Sequence, residues 1–164
     1  MPRGAPYPEL MSEAGARDRN VSSYGEPGTP PVLLFDGVCN FCNASVLFVL
    51  RRDTRQELRF AALQSGAGQA LLQKHGLKLD EFDSMVLVSN GKCLTRSNAA
   101  VAIAQHLSWP WRVTARVARL FPRALRDACY DAFVRRRYTL FGKSEECMVP
   151  TPELRRRFLL DAPN

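Results

Sequence analysis

The first stretch of the chain shows no periodicity. Residues 1 to about 30 are rich in Pro, Gly, Ser and charge, with no apolar residue recurring at strand or helix spacing. They predict a flexible tail, closed by "GTPP". The pattern then changes abruptly. "VLLF", Val32 to Phe35, is an unbroken apolar run with Asp36-Gly37 directly after it. A short apolar run ending in a turn reads as a strand buried on both faces. From Asn40 to Arg52 a long apolar stretch ends in Arg51-Arg52, and basic residues suit the last turn of a helix.

Further along, "LRFAAL" (Leu58 to Leu63) reads as a second strand. Ser65 is placed to cap a short helix over "GAGQALLQKH", stopped by Gly76. "SMVLVSNGKCLTR" is a hairpin: strand Met85 to Val88, an Asn90-Gly91 turn, and a return over Cys93 to Thr95. Ser97 is expected to cap an Ala-rich helix to about Leu107. A helix from Pro110 to about Leu120 carries Val113, Val117 and Leu120 on one face and Arg112, Arg116 and Arg119 on the other. Another runs from Pro122 to about Tyr138, with Leu125, Cys129 and Phe133 at i, i+4, i+8; this spacing places Cys129 in the core. A loop and a last short helix follow. The order β-α-β-α-β-β-α, then α-α, predicts a small α/β fold with a mixed sheet flanked by helices.

The length of 164 residues suits one domain with a sizeable core, and 46% hydrophobic residues exclude a disordered chain. We divide it into the tail (1–30), an α/β core (31–108) and a C-terminal helical extension (109–164) packed on the same domain. The five cysteines are odd in number, and only Cys39 and Cys42 lie close together, so no disulfide framework is implied. A reducing, cytoplasmic setting is the simpler expectation. No secretory signal is visible, and Glu9, Glu13, Asp18 and Glu26 fit a transit peptide poorly. Pro31 to Leu50 carries a single charge, but Asp36, Gly37, Asn40 and Asn43 interrupt it, so no membrane span is expected.

The chemistry concentrates in "FDGVCNFCNAS", Phe35 to Ser45, where Cys39 and Cys42 fall at a strand-to-helix turn. Residues three apart on a helix share a face, with Cβ atoms roughly 5–6 Å apart. A disulfide wants about 3.8 Å, a gap that a slight adjustment of the first turn closes. Free N–H groups and the helix dipole favour a thiolate at Cys39, while Cys42, one turn in, is expected to be the more buried. Cys39 then attacks a disulfide and Cys42 resolves it. The alternative is half of a zinc site completed by Cys93, Cys147, His75 or His106. Zinc pairs normally come with a second close pair, and none is present.

"LLFDGVCNFCNASVLFVLRRD" resembles the opening of the thiol-disulfide oxidoreductase DCC family, named for an Asp-Cys-Cys pattern that falls here on Asp36, Cys39 and Cys42. "SMVLVSNGKCLTRSNAA" is similar to the family's strand–turn–Ser-x-Ala segment. "YDAFVRRRYTLFGKSEECMVP" is similar to its closing stretch, at Arg137, Tyr138, Phe141, Gly142 and Cys147. The likeness covers about Val32 to Pro152. It implies a thioredoxin-like fold and a redox role without a bound cofactor. The substrate would be a disulfide- or thiol-containing protein or small molecule, with electrons from an external dithiol. Thioredoxins place a cis-proline facing the CxxC; that position falls near Asp83-Ser84-Met85, which holds no proline, so the substrate groove is built differently.

Other residues have two readings each. Asp36 can relay the proton of Cys42 or simply make a turn. Asn40 and Phe41 tune the pair through packing and access, or Phe41 is an exposed partner contact. Cys147 is a third redox thiol if the C-terminal loop folds back, and Arg137 pairs with a buried acid. Cys93 is read as structural, and His75 and His106 as helix-end residues. Arg112, Arg116, Arg119, Arg123 and Arg126 can form a basic face for nucleic acid or anionic lipid in a chain of net charge +7. No aromatic platform or nucleic-acid motif supports the first of these, and a solvated face is the simpler reading.

Overall fold

The computed structural model describes residues 21–77, 85–142 and 152–159. Four strands, β1 (Val32–Phe35), β2 (Arg59–Ala62), β3 (Val86–Ser89) and β4 (Lys92–Leu94), form one sheet in the order β2-β1-β3-β4. β1 pairs parallel with β2, Val32 opposite Arg59, and antiparallel with β3, Leu33 opposite Leu87. β3 and β4 form the predicted hairpin, and Asn90 and Gly91 both take the positive φ that a tight Asn-Gly turn requires. The helices are α1 (Asn40–Arg52), α2 (Gly66–Lys74), α3 (Arg96–His106), α4 (Trp109–Ala118), α5 (Arg123–Phe141) and the single turn α6 (Pro152–Arg155). The result is an α/β, thioredoxin-like mixed sheet flanked by helices.

Every residue of β1 is buried, because the strand is central and covered on both faces. Strand alternation splits its side chains. Leu33 and Phe35 join Val46, Phe60 and Ile103 on one face; Val32 and Leu34 join Leu71, Val86 and Val88 on the other. α2 follows its predicted start, Ser65 Oγ accepting the Gly68 amide at 3.1 Å. Gly68 is required there: an added Cβ would lie 2.1 Å from the carbonyl oxygen of Ala62. Gly68→Ala gains about 1 kcal/mol of helix propensity but overpacks backbone against backbone, which costs about 1–3 kcal/mol or more. We expect a lower urea midpoint for Gly68→Ala; an unchanged or higher midpoint would contradict this packing.

Three expectations need correction. Ser97 does not cap α3; Thr95 stands at the cap without a side-chain bond, and Ser97 is buried, its hydroxyl donating to Asp127 on α5. That bond, followed by Arg123, holds the Asp127 carboxyl below its ordinary range. The Val113, Val117 and Leu120 face of α4 does not enter the core. The opposite side does, through Ala115 and through Trp111 set edge-on to Phe48 at 4.9 Å. Cys129 is exposed rather than buried.

The C-terminus adds an element with no local signature. Phe158 bridges Phe60 in parallel on the outer edge of β2, the amides of Phe60 and Leu159 bonding at 2.9 and 2.8 Å. Within the stretch read as a tail, Val21 and Tyr24 pack on the second cluster. Among the described residues, no helix is long and apolar enough to cross a membrane.

Candidate functional site

The site forms where β1 turns into α1. Cys39 is the N-cap of α1 in extended conformation, and its Sγ accepts the Cys42 amide at 3.4 Å. A cap side chain normally satisfies one of the free N–H groups of the first turn; here a sulfur does so. Its carbonyl accepts the Asn43 amide at 2.9 Å, starting the helix ladder.

Asp36 fixes the turn in front of the pair. Its Oδ1 accepts the Val38 amide at 3.2 Å and the Gln64 side-chain amide at 2.9 Å, and its carbonyl accepts the Cys39 amide at 3.3 Å. Gln64 returns a bond through its Oε1, which accepts the Gly37 amide at 3.1 Å. Asn43 donates to the Gly37 carbonyl at 3.0 Å. Gln64 lies 28 residues from Asp36. It just follows β2, so the parallel pairing of β1 and β2 brings it there. Sequence reasoning missed Gln64 and Asn43, and a lone Gln after a strand gives no signal that would have found it.

Cys42 was expected to be the more hidden thiol; both thiols are fully buried. α5 packs over the start of α1, with Phe133 edge-on to Phe41 at 4.7 Å. Phe41 is therefore held against α5 rather than presented alone to solvent. Asn40 is exposed beside Gly142, where an added Cβ would lie 3.6 Å from the Asn40 amide nitrogen. Cys147 and the side chain of Arg137 lie outside the described residues. So do Asp83 and Ser84, but Met85 lines a cavity together with Cys42.

That cavity, of about 270 Å³, is lined by Phe41, Cys42 and Met85 together with Ile103, Tyr130 and Phe133. Tyr130 did not stand out in the sequence, and Met85 did so only as part of the segment expected to face the pair. Among the described residues, no three His, Cys, Asp or Glu gather as a metal-binding group would. His106, weighed as a ligand, sits 2.7 Å from Glu57 instead.

Burial sets an expected labelling order. Cys129 is exposed, whereas burial pushes the Cys93 thiol up and so reduces its thiolate. Cys39 and Cys42 react only when their cover opens. In the reduced native protein iodoacetamide should modify Cys129 before Cys93, and the pair at least about tenfold more slowly than Cys129, as peptide masses will show. Native Cys39 labelling as fast as Cys129 would contradict the closed geometry.

The sequence model of the DCC1-like thiol-disulfide oxidoreductases matches residues 33–143. The Bacillus subtilis (strain 168) protein YuxK is 45% identical over 128 residues, covering 78% of this chain and 93% of its own. A DCC family protein of Arabidopsis thaliana, described as chloroplastic, is 38% identical over 129 residues, covering 79% and 75%. No solved structure matches the chain significantly.

Proposed function

The chain belongs to the DCC1-like thiol-disulfide oxidoreductase family, and from that premise we propose that Cys39 and Cys42 form a reversible dithiol–disulfide pair. The observation that supports it best is the placement of both thiols at one helix N-terminus, Cys39 Sγ against the Cys42 amide. That sulfur sits where the free N–H groups of the first turn point.

Cys39 is the nucleophile. Its thiolate attacks one sulfur of a substrate R–S–S–R, forms Cys39–S–S–R and expels RS⁻, which takes up a proton. Cys42, giving up its own proton, attacks the Cys39 sulfur, forms the Cys39–Cys42 disulfide and expels the second RS⁻. Two electrons pass from protein to substrate, and an external dithiol restores the reduced pair. Asp36 acts through the turn: with Gln64 it holds the amides before Cys39, and so positions the nucleophile. No bound cofactor is needed, and the substrate is a thiol- or disulfide-bearing protein or small molecule.

The test is turnover of a small disulfide, with dithiothreitol as the external dithiol. Rates well above the uncatalysed exchange are expected, and rates equal to it would sink the proposal. Asp36→Asn keeps the turn's acceptor oxygen and should retain most activity, whereas Asp36→Ala, which removes it, should lower kcat/KM about tenfold or more. An equal loss in both would instead assign Asp36 a protonic role.

A further inference from the structure

The cavity beside Cys42 is not required by the exchange chemistry itself. Its volume of about 270 Å³ limits what it can take. An apolar cavity of about 150 Å³ holds benzene, and drug-sized ligands fill roughly 300–1,000 Å³. This one is therefore sized for a single substituted ring or one bulky apolar side chain. Among the described residues no Asp, Glu, Lys or Arg lines it, so these walls offer an ionised group no partner. Part of its lining comes from α5, an element of the extension.

We propose that the extension makes this cavity a specificity pocket, and that the preferred substrates carry an uncharged aromatic or bulky apolar group on their disulfide. The proposal rests on reading Cys39 and Cys42 as the redox pair. The apolar group R occupies the pocket while Cys39 forms Cys39–S–S–R and releases RS⁻. R then stays beside Cys42 as that thiol closes the protein disulfide and releases the second RS⁻. The two electrons come from the protein dithiol and are replaced by an external dithiol.

The test compares 4,4′-dithiodipyridine with cystine, each rate divided by that of free dithiothreitol with the same disulfide. The normalised kcat/KM for the aromatic disulfide should exceed that for cystine at least tenfold. Ala100→Trp, which fills the pocket, and Val134→Asn, which makes its wall polar, should each lower that ratio at least fivefold; the second variant keeps the test alive if the first does not fold. A ratio near one, or one unmoved by either variant, overturns the pocket proposal alone. Failure to turn over either disulfide overturns the redox reading beneath it.

A separate observation carries a second proposal. Around α4, Trp109, Val113 and Val117 follow one another at i+4, and Leu120, Phe121 and Leu125 continue the stripe. The stripe is exposed, Trp109 by 73% and Leu120 by 82%. On a helix of about 100° per residue, Arg112, Arg116 and Arg119 run alongside it, opposite neither the stripe nor the buried Ala115. Of these and Arg123, Arg123 alone has an acidic partner among the described residues, Asp127. Arg112 donates to the Leu107 carbonyl at 2.8 Å and Arg119 lies against the Gln105 side chain, so both keep their charge uncompensated by any acid among the described residues. An apolar stripe with a terminal Trp and such a flanking row of arginines matches an anionic bilayer surface, apolar groups below and phosphates beside.

We infer that the α4 surface docks on anionic membranes. The probe is vesicles of phosphatidylglycerol and phosphatidylcholine against phosphatidylcholine alone, read by co-sedimentation and by the emission of Trp109 in a Trp111→Phe background, which removes the chain's second tryptophan. Binding to the anionic vesicles, with a blue shift, at least tenfold weaker in high salt and for Leu120→Asp, is expected. Absence of binding overturns the inference. So does a self-association abolished by Leu120→Asp without vesicle binding, which would identify a second copy of the chain as the occupant.

Discussion

Replacing Cys39 with serine is expected to lower disulfide turnover by about three orders of magnitude or more, about 4 kcal/mol of barrier at 1.36 kcal/mol per tenfold. A hydroxyl at the cap can still accept the Cys42 amide, so the fold survives while the nucleophile is lost. Cys42→Ser should behave differently. The first attack proceeds, the second cannot, and the protein accumulates as Cys39–S–S–R, heavier by one substrate thiol less two hydrogens. Intact mass before and after dithiothreitol checks both variants. If the trapped adduct instead appears on Cys42 in Cys39→Ser and never on Cys39 in Cys42→Ser, the roles are reversed.

Asp53→Ala is expected to destabilise the protein by about 3–5 kcal/mol, the cost of leaving a buried charge without its partner. Asp53 ends α1 and pairs with Arg157; both are buried, at 2% and 7% exposure. Asp53 also accepts the amides of Glu57 at 3.2 Å and Leu58 at 3.0 Å. Arg157 also donates to the Leu58 carbonyl at 3.2 Å and lies over the Phe60 ring. Arg157→Met should cost less, because Asp53 keeps its two backbone donors. The double variant should cost less than the sum, since neither charge is then stranded. Urea unfolding measures all three; a cost below about 1 kcal/mol for Asp53→Ala would show the pair to be hydrated.

These two predictions separate what was legible from what was not. β1 and α1 were readable because their signals are local: an apolar run, an Asp-Gly turn, and paired arginines at the helix end. Cys39 at the cap followed from that boundary. Arg157 was not readable, because "RRRF" looks like a solvated face until β2 accepts Phe158 as a neighbour. The α4 face was misread for a related reason. Periodicity identifies an apolar arc on a helix but not which arc meets a partner, and here Trp111 and Ala115 found one instead. The setting of Phe41 depends likewise on α5 packing across α1, a contact nearly a hundred residues away in the chain.

The redox reading depends on whether the two thiols bond to each other. The direct measurement uses a protein with Cys93, Cys129 and Cys147 changed to Ser, equilibrated in graded thiol–disulfide buffers with a chelator and its free thiols counted by mass. Cys39 and Cys42 should lose two hydrogens together at one potential, somewhere within about −270 to −120 mV, the span of known dithiol oxidoreductases. A pair that never bonds at any potential would contradict the account.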